Sequence, residues 1–221
     1  MKVGTDGVLL GAWIDVAGAR TVMDIGTGTG LIALMIAQRN ANALIDAIDI
    51  DEHACEQAEE NAAASPWAER VKVFHTSLDR FVESRDEKYD LIVCNPPYFA
   101  NSKRSEDEKR RLARHADELT LEHLFSASVS LLKGSGRMGI VFPFVDKKKV
   151  IDTAGRNGLY PEKILNVKHN AGKEPVRVLI SFSKESNAFA GEEEMAIETG
   201  IRHQYAKEFA SLVRDFYLYM D

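Results

Sequence analysis

Asp24-Ile25-Gly26-Thr27-Gly28-Thr29-Gly30 is the stretch that decides how this chain folds. Residues 21–25 form a short apolar run that reads as a buried strand, and residues 31–39 read as an apolar helix. A strand that ends in glycines and feeds a helix is the opening half of a β-α-β unit. Glycines let the backbone turn tightly and let a ligand come close to the main chain. Their spacing is G-x-G-x-G, not the G-x-G-x-x-G of dinucleotide binders, which disfavours a nicotinamide oxidoreductase. A tight strand-to-helix turn with no ligand would look the same, so the turn alone leaves both readings open.

Further along, the pattern repeats. Residues 44–50 read as a second strand, and Asp51 is placed to cap a helix that runs to Ala64 and stops before Pro66. Residues 71–75 and 89–94 read as the third and fourth strands. After a charged segment, 103–118, Thr120 is placed to cap a helix bearing Leu121, Leu124, Phe125, Leu131 and Leu132 and ending near Gly134. A fifth strand over 137–142, a helix over 146–157 and strands over 164–168 and 176–183 follow. Residues 192–194 are three glutamates and read as a solvated run. An amphipathic helix over 204–217 closes the chain, with Phe209, Leu212, Val213 and Phe216 on its apolar side. Strands alternating with helices imply an α/β fold, a parallel sheet covered on both faces. No repeat, linker or composition shift divides the chain, so residues 1–221 are expected to form a single domain.

Composition narrows the function classes. The net charge of −6 argues against a protein that coats nucleic acid broadly, because that binding rests on neutralising phosphates. One local basic face remains compatible with it. The two cysteines, Cys55 and Cys94, sit in different settings and suggest neither a disulfide nor a metal pair, so a cytoplasmic location is expected. The six histidines show no zinc spacing, and no metal is expected. No apolar run approaches membrane-spanning length and no signal peptide opens the chain, so no membrane partner is expected.

Ligands of parallel sheets bind beyond the carboxyl ends of the strands, and two further signals lie there. Ile48-Asp49-Ile50-Asp51 ends the second strand. A carboxylate about 20 residues past the glycines is placed to accept both hydroxyls of a ribose, with Ile50 available to pack on an adenine face. The alternative for Asp49 is a helix cap, for which Asp51 is better placed. Asn95-Pro96-Pro97-Tyr98 ends the fourth strand. Neither proline can donate to a sheet ladder, so the chain must leave the sheet there at a fixed angle. A carboxamide, a stiff backbone and an aromatic ring at that exit suit a planar substrate that carries an amino group. The bland alternative is a strand-ending turn.

With these residues in view, the chain from Val3 to about Ser183 resembles the class I S-adenosylmethionine-dependent methyltransferases. The resemblance implies a Rossmann-like seven-stranded sheet, mostly parallel, whose last strand (here 176–183) runs antiparallel. It implies S-adenosyl-L-methionine as cofactor, held by Asp24, Gly26, Thr27, Gly28, Gly30, Asp49, Ile50 and Asn95, with Asp24 at the methionine end.

Asn-Pro-Pro-Tyr is similar to the motif of enzymes that methylate planar nitrogens: adenine N6 in DNA and RNA, and the glutamine amide of release factors. Such a nitrogen gives its lone pair to the ring or carbonyl and is a poor nucleophile. The Asn95 side-chain oxygen and the Pro96 carbonyl would each accept one N–H, aiming the lone pair at the methyl group. Tyr98 would stack on the base, so the catalytic candidates are Asn95, Pro96, Pro97 and Tyr98.

A closer resemblance joins residues 2–13 (KVGTDGVLLGAW), the glycine turn and Asn95-Pro96-Pro97-Tyr98-Phe99 to the bacterial tRNA(Val) adenine-N6-methyltransferase group, along with Arg114-His115 and Phe216-Tyr217-Leu218. It implies a tRNA substrate methylated on the adenine beside the anticodon, and a cofactor role for Thr5 and Asp6. In two respects the chain departs from the group. The group usually carries an N-terminal extension ahead of Lys2, so the chain is expected to be a shortened form. Many relatives also place an acidic residue after the third strand to meet the cofactor's adenine amine; here Ser77 stands there, with Leu78 backbone groups as a second candidate. Lys103, Arg104, Arg110, Arg111 and Arg114 follow the motif and, with Phe99, are candidates for substrate binding. The alternative is a self-paired charged helix. Lys168, His169, Lys173 and Arg177 form a second basic candidate, while Lys147, Lys148 and Lys149 read as an exposed helix face. Competing functions are a release-factor glutamine N5-methyltransferase, disfavoured by the lack of room for a helical N-terminal domain, and a non-catalytic RNA-binding protein that keeps the fold. A DNA adenine enzyme usually adds a recognition domain, which is also lacking.

Overall fold

A computed structural model describes residues 4–84, 86–96, 119–201 and 204–217. The chain opens with helix α1 (Thr5–Trp13) and then alternates: β1 (Thr21–Ile25), α2 (Leu31–Arg39), β2 (Leu44–Asp49), α3 (Glu52–Ala63), β3 (Val71–His75), α4 (Leu78–Ser84) and β4 (Tyr89–Cys94). It continues through α5 (Leu121–Leu131), β5 (Leu132–Pro143), α6 (Lys147–Arg156), β6 (Tyr160–Asn170), β7 (Pro175–Ser183), β8 (Gly191–Glu198) and α7 (Lys207–Val213). The strands form one sheet in the order β3-β2-β1-β4-β5-β7-β6-β8. β7 runs antiparallel to both β5 and β6, and the other neighbouring pairs are parallel.

Successive strand residues point to opposite faces, and each face has its own core. Val22, Ile45, Leu91, Val93, Val141 and Leu179 pack under α1, α2 and α7, with Phe209 and Val213 of α7 joining Val8 and Leu9 of α1. Met23, Ile48, Ile92, Met138, Ile140 and Phe182 pack under α4, α5 and α6. Because both faces are covered, the central strands β1 and β4 are buried along almost their whole length rather than alternating.

Two expected caps form: Asp51 accepts from the Ala54 N–H at 3.2 Å, and Thr120 from the His123 N–H at 3.1 Å. Several expectations need correction. The sheet has eight strands, not seven: residues 191–198 pair in parallel with β6 as an edge strand. The three glutamates are exposed, as a solvated run should be, but they decorate a strand, with Glu192 on Lys147 and Glu194 on Lys168 at 2.6 Å each. Charges on an edge strand discourage pairing with a second chain, which explains why a strand can look like a polar loop. Gly134 does not end α5. The helix stops at Leu131 because Leu132 turns extended and pairs with Tyr89, so β5 begins five residues before the expected Arg137. β6 likewise spans 160–170 rather than 164–168. The expected closing helix is shorter, α7 followed by a 3-10 turn from Arg214 to Phe216.

Candidate functional site

The glycine turn leaves the sheet at the carboxyl end of β1. The N–H groups of Gly26 and Thr27 both donate to the Ile48 carbonyl at 2.9 Å, which ties the turn to β2. Gly26 has φ of 69°, where a side chain is strained, and a Cβ built on it would meet nothing within 4 Å. Open space beside a bent main chain is what a bound ligand requires.

Asp24 lies beneath the turn, almost wholly buried. Its Oδ2 accepts from the Thr27 hydroxyl at 2.7 Å and from the Ala33 N–H at 3.2 Å. Its Oδ1 is buried with no hydrogen-bond partner among the described residues. Burial pushes the carboxyl up to about 7, against the pull of those two hydrogen bonds, and the nearby Asp49 charge adds to the rise. A buried, unpartnered carboxylate oxygen calls for a donor, and a cationic one would satisfy it best.

Asp49 ends β2. Its Oδ2 accepts the Gly28 N–H at 2.8 Å and its Oδ1 the Asp51 N–H at 3.0 Å. Each carboxylate oxygen has room for a second donor, so the group can brace the turn and still receive two hydroxyls. Ile50 follows it, 40% exposed, an apolar side chain on which a flat ring can lie. The loop beyond is fixed by the Thr76 N–H on the Asp49 carbonyl at 2.9 Å and by His75 Nε2 at 3.2 Å from the Ile50 carbonyl. Ser77 and Leu78 begin α4. The Ser77 hydroxyl oxygen accepts the Arg80 N–H at 3.4 Å, so this side chain caps the helix. Sequence reading missed α4, although Ser77 before Leu78, Phe81 and Val82 is a capped helical pattern.

Asn95 is half-buried and Pro96 buried at the carboxyl end of β4, which lies next to β1. Below them the Cys94 thiol is fully enclosed; burial, then the Asp24 and Asp49 charges, push its pKa well up, so it supplies no thiolate. The first turn of α1 reaches the same place. A Cβ built on Gly7 would lie 3.2 Å from Leu31 Cδ2 and 3.8 Å from Asn95 Nδ2. Residues 5–7 are the amino end of α1, with Gly4 as its N-cap. Thr5 is exposed, and the Asp6 carboxylate receives Arg177 Nε at 3.0 Å on both oxygens.

The structure therefore brings Thr5, Asp6, Asp24, Gly26, Thr27, Gly28, Gly30, Asp49, Ile50, Ser77, Leu78, Asn95 and Pro96 to one edge of the sheet. Pro97, Tyr98, Phe99, Lys103, Arg104, Arg110, Arg111 and Arg114 lie outside the described residues. The second basic group is partly spent: Arg177 is on Asp6 and Lys168 on Glu194. Lys147, expected as an exposed face, instead reaches Glu192. Two hollows, of about 140 and 310 Å³, lie at the opposite edge, around Arg137 and Glu162, and have no part in this arrangement.

The methyltransferase small domain family matches residues 4–146. The tRNA1(Val) (adenine(37)-N6)-methyltransferase of Parabacteroides distasonis is 46% identical over 220 residues, covering 100% of this chain and 92% of the relative. That of Bacteroides thetaiotaomicron is 47% identical over 221 residues, with the same coverages. Among solved structures, a predicted O-methyltransferase, Atu636 from Agrobacterium tumefaciens, superimposes with a TM-score of 0.76 at 18% identity, covering 97% of this chain and 98% of that one. A ribosomal protein L11 methylase from Lactobacillus delbrueckii gives 0.57 at 21% identity, covering 81% and 77%. At those identities the structures speak for the fold alone. No helix among the described residues is long and apolar enough to cross a membrane. The chain belongs to the methyltransferase small domain family, among the proteins named tRNA1(Val) (adenine(37)-N6)-methyltransferase.

Proposed function

We propose that the chain is an S-adenosylmethionine-dependent methyltransferase that places a methyl group on N6 of the adenine beside the anticodon of a tRNA. The observation that carries this reading is the convergence of Asn95 and Pro96 with the glycine turn and Asp49 at one sheet edge. Near-full-length similarity to enzymes of that name supports the choice of substrate.

The residues present fit the cofactor. The orphaned Asp24 Oδ1 faces the need of an ammonium group, the Asp49 oxygens have capacity for ribose hydroxyls, and exposed Ile50 offers an apolar face to a base. Two carboxylates under one turn also suit a ligand of positive charge. When bound, S-adenosylmethionine supplies an electrophilic methyl group on a sulfonium. The chain's own work is positional. The Asn95 side-chain oxygen and the Pro96 carbonyl accept the two N–H groups of the adenine amine. This draws the nitrogen toward tetrahedral geometry and frees its lone pair for in-line attack. The extra proton leaves after the bond forms, so no strong base is required, and the enclosed Cys94 thiol offers none. Holding the reactants in line is worth several kcal/mol, roughly 7–11 at the upper limit.

The test supplies radiolabelled cofactor with unmodified tRNA, a release factor and duplex DNA in parallel, followed by mass spectrometry of the product. Label on adenine N6 of tRNA is expected. Label on a release-factor glutamine would replace this reading with the protein-amide one, and no label on any substrate would favour a non-catalytic RNA-binding role.

A further inference from the structure

We infer that Arg177 is a positioning residue for methyl transfer: through Asp6 it fixes the first turn of α1 against Asn95. The inference rests on the reading of Asn95 as the amine clamp. Arg177 lies 171 residues from Asp6 in sequence, near the start of β7, where it pairs with Pro143 of β5 and Val167 of β6. That antiparallel strand enters the sheet at the edge where β4 ends, so Arg177 emerges on the same side as Asn95.

Its geometry is fixed at both ends. Nε lies 3.0 Å from each oxygen of Asp6, and Nη1 donates to the Val176 carbonyl at 3.0 Å. The two side chains are 32% and 20% exposed, so solvent screens the pair only in part. Asp6 also sits in the first turn of a helix, where a carboxylate is favoured by the helix dipole.

The helix needs such a tie. Its N-cap is Gly4, which has no side chain to cap the first turn, and the Val8 N–H to Gly4 carbonyl bond is long at 3.4 Å. The turn nevertheless occupies a narrow place, with Gly7 wedged between Leu31 at the start of α2 and the Asn95 carboxamide. If the turn swings, the wall behind Asn95 moves with it. A displacement near 1 Å at a reacting group costs up to about 100-fold in rate. Arg177 holds the turn from across the sheet through its two bonds to the Asp6 carboxylate.

The test compares Arg177→Met and Arg177→Lys with the wild type. The expected result for Arg177→Met is a fall in kcat of about tenfold or more at saturating cofactor and tRNA, with KM for tRNA within about threefold, since positioning rather than binding is lost. Hydrogen exchange at the Val8 amide should speed up by about tenfold or more as the turn loosens. Arg177→Lys, which restores a charge but not the fork, should recover part of both. Unchanged kcat together with unchanged exchange would overturn the inference. So would a raised KM for tRNA and a shallower salt dependence at constant kcat, which would make Arg177 a phosphate contact. Should Arg177→Met fail to fold, Arg177→Lys and Asp6→Asn carry the same comparison. The exchange readout needs no substrate, so it stands or falls separately from the identity of the methylated molecule.

Discussion

The Gly28 N–H donates to the Asp49 carboxylate at 2.8 Å, so the residue proposed to hold a ribose is also the brace of the glycine turn. Replacing Asp49 with Ala removes both functions. Cofactor affinity should fall by about 10- to 100-fold, the loss expected when charge-assisted hydrogen bonds go. Asp49→Asn should fall less, because its remaining oxygen can still accept the Gly28 N–H. Calorimetric titration with S-adenosylhomocysteine measures the difference, and wild-type affinity in the Ala variant would take Asp49 out of the site.

Asn95→Ala should reduce turnover by at least about 100-fold while cofactor affinity stays within about threefold, because the role proposed for the carboxamide is on the amine rather than on the donor. Single-turnover kinetics beside equilibrium binding separates the two effects. Turnover within a few-fold of wild type would end the amine-clamp role.

Asp24 makes the cofactor-free fold sensitive to pH in an unusual direction. Its carboxyl sits at about 7 when folded against 3.8 in the open chain, chiefly because burial disfavours the ion. Below about pH 4 both states hold the proton, and this group then favours neither. Between pH 4 and 7 the unfolded chain releases its proton first, so stability falls as pH rises, by at most ~4 kcal/mol. Above about 7 the penalty is constant. Asp24→Asn should flatten that decline and raise the neutral-pH melting temperature of the free protein while weakening cofactor binding. Chemical denaturation across this range tests it; a variant with the same slope as wild type would place the pH dependence elsewhere.

Gly136 lies in the register shift of β5 against β4, between the Tyr89–Leu132 and Leu91–Arg137 pairs. A Cβ there would approach the Tyr89 carbonyl oxygen at 2.8 Å and Lys133 N at 3.1 Å. Backbone atoms cannot yield as a side-chain tip does, so Gly136→Ala should cost about 1–3 kcal/mol. For a chain of this size that corresponds to roughly 2–4 °C in Tm per kcal/mol. Thermal unfolding with cofactor absent is the relevant measurement.

The parallel half of the sheet was open to sequence reading because its short strands are rich in buried apolar residues and end in turns whose chemistry is visible. Asp51 and Thr120 announce their helices by side-chain type alone, and the glycines announce the exit from β1. β8 was hidden because an edge strand facing water carries the same glutamates as a loop. α4 was hidden by its length of seven residues, too short for a hydrophobic period to stand out. At the site, Asp49 and Asn95 could be placed because each ends an obvious strand. The tie of Arg177 to Asp6 could not, since nothing local in either residue points to a partner at the far end of the chain. Gly7 belongs to the same class: its lack of a side chain has meaning only once Asn95 is seen beside it.

The packing of α7 on α1 has a bearing on biosynthesis. Val8 and Leu9 leave the ribosome well before Phe209 and Val213, which share their core. Until those later residues emerge, the nascent protein carries an oily stripe with no lid, and a message broken ahead of α7 would leave that stripe bare for good, a ready mark for chaperones and proteases.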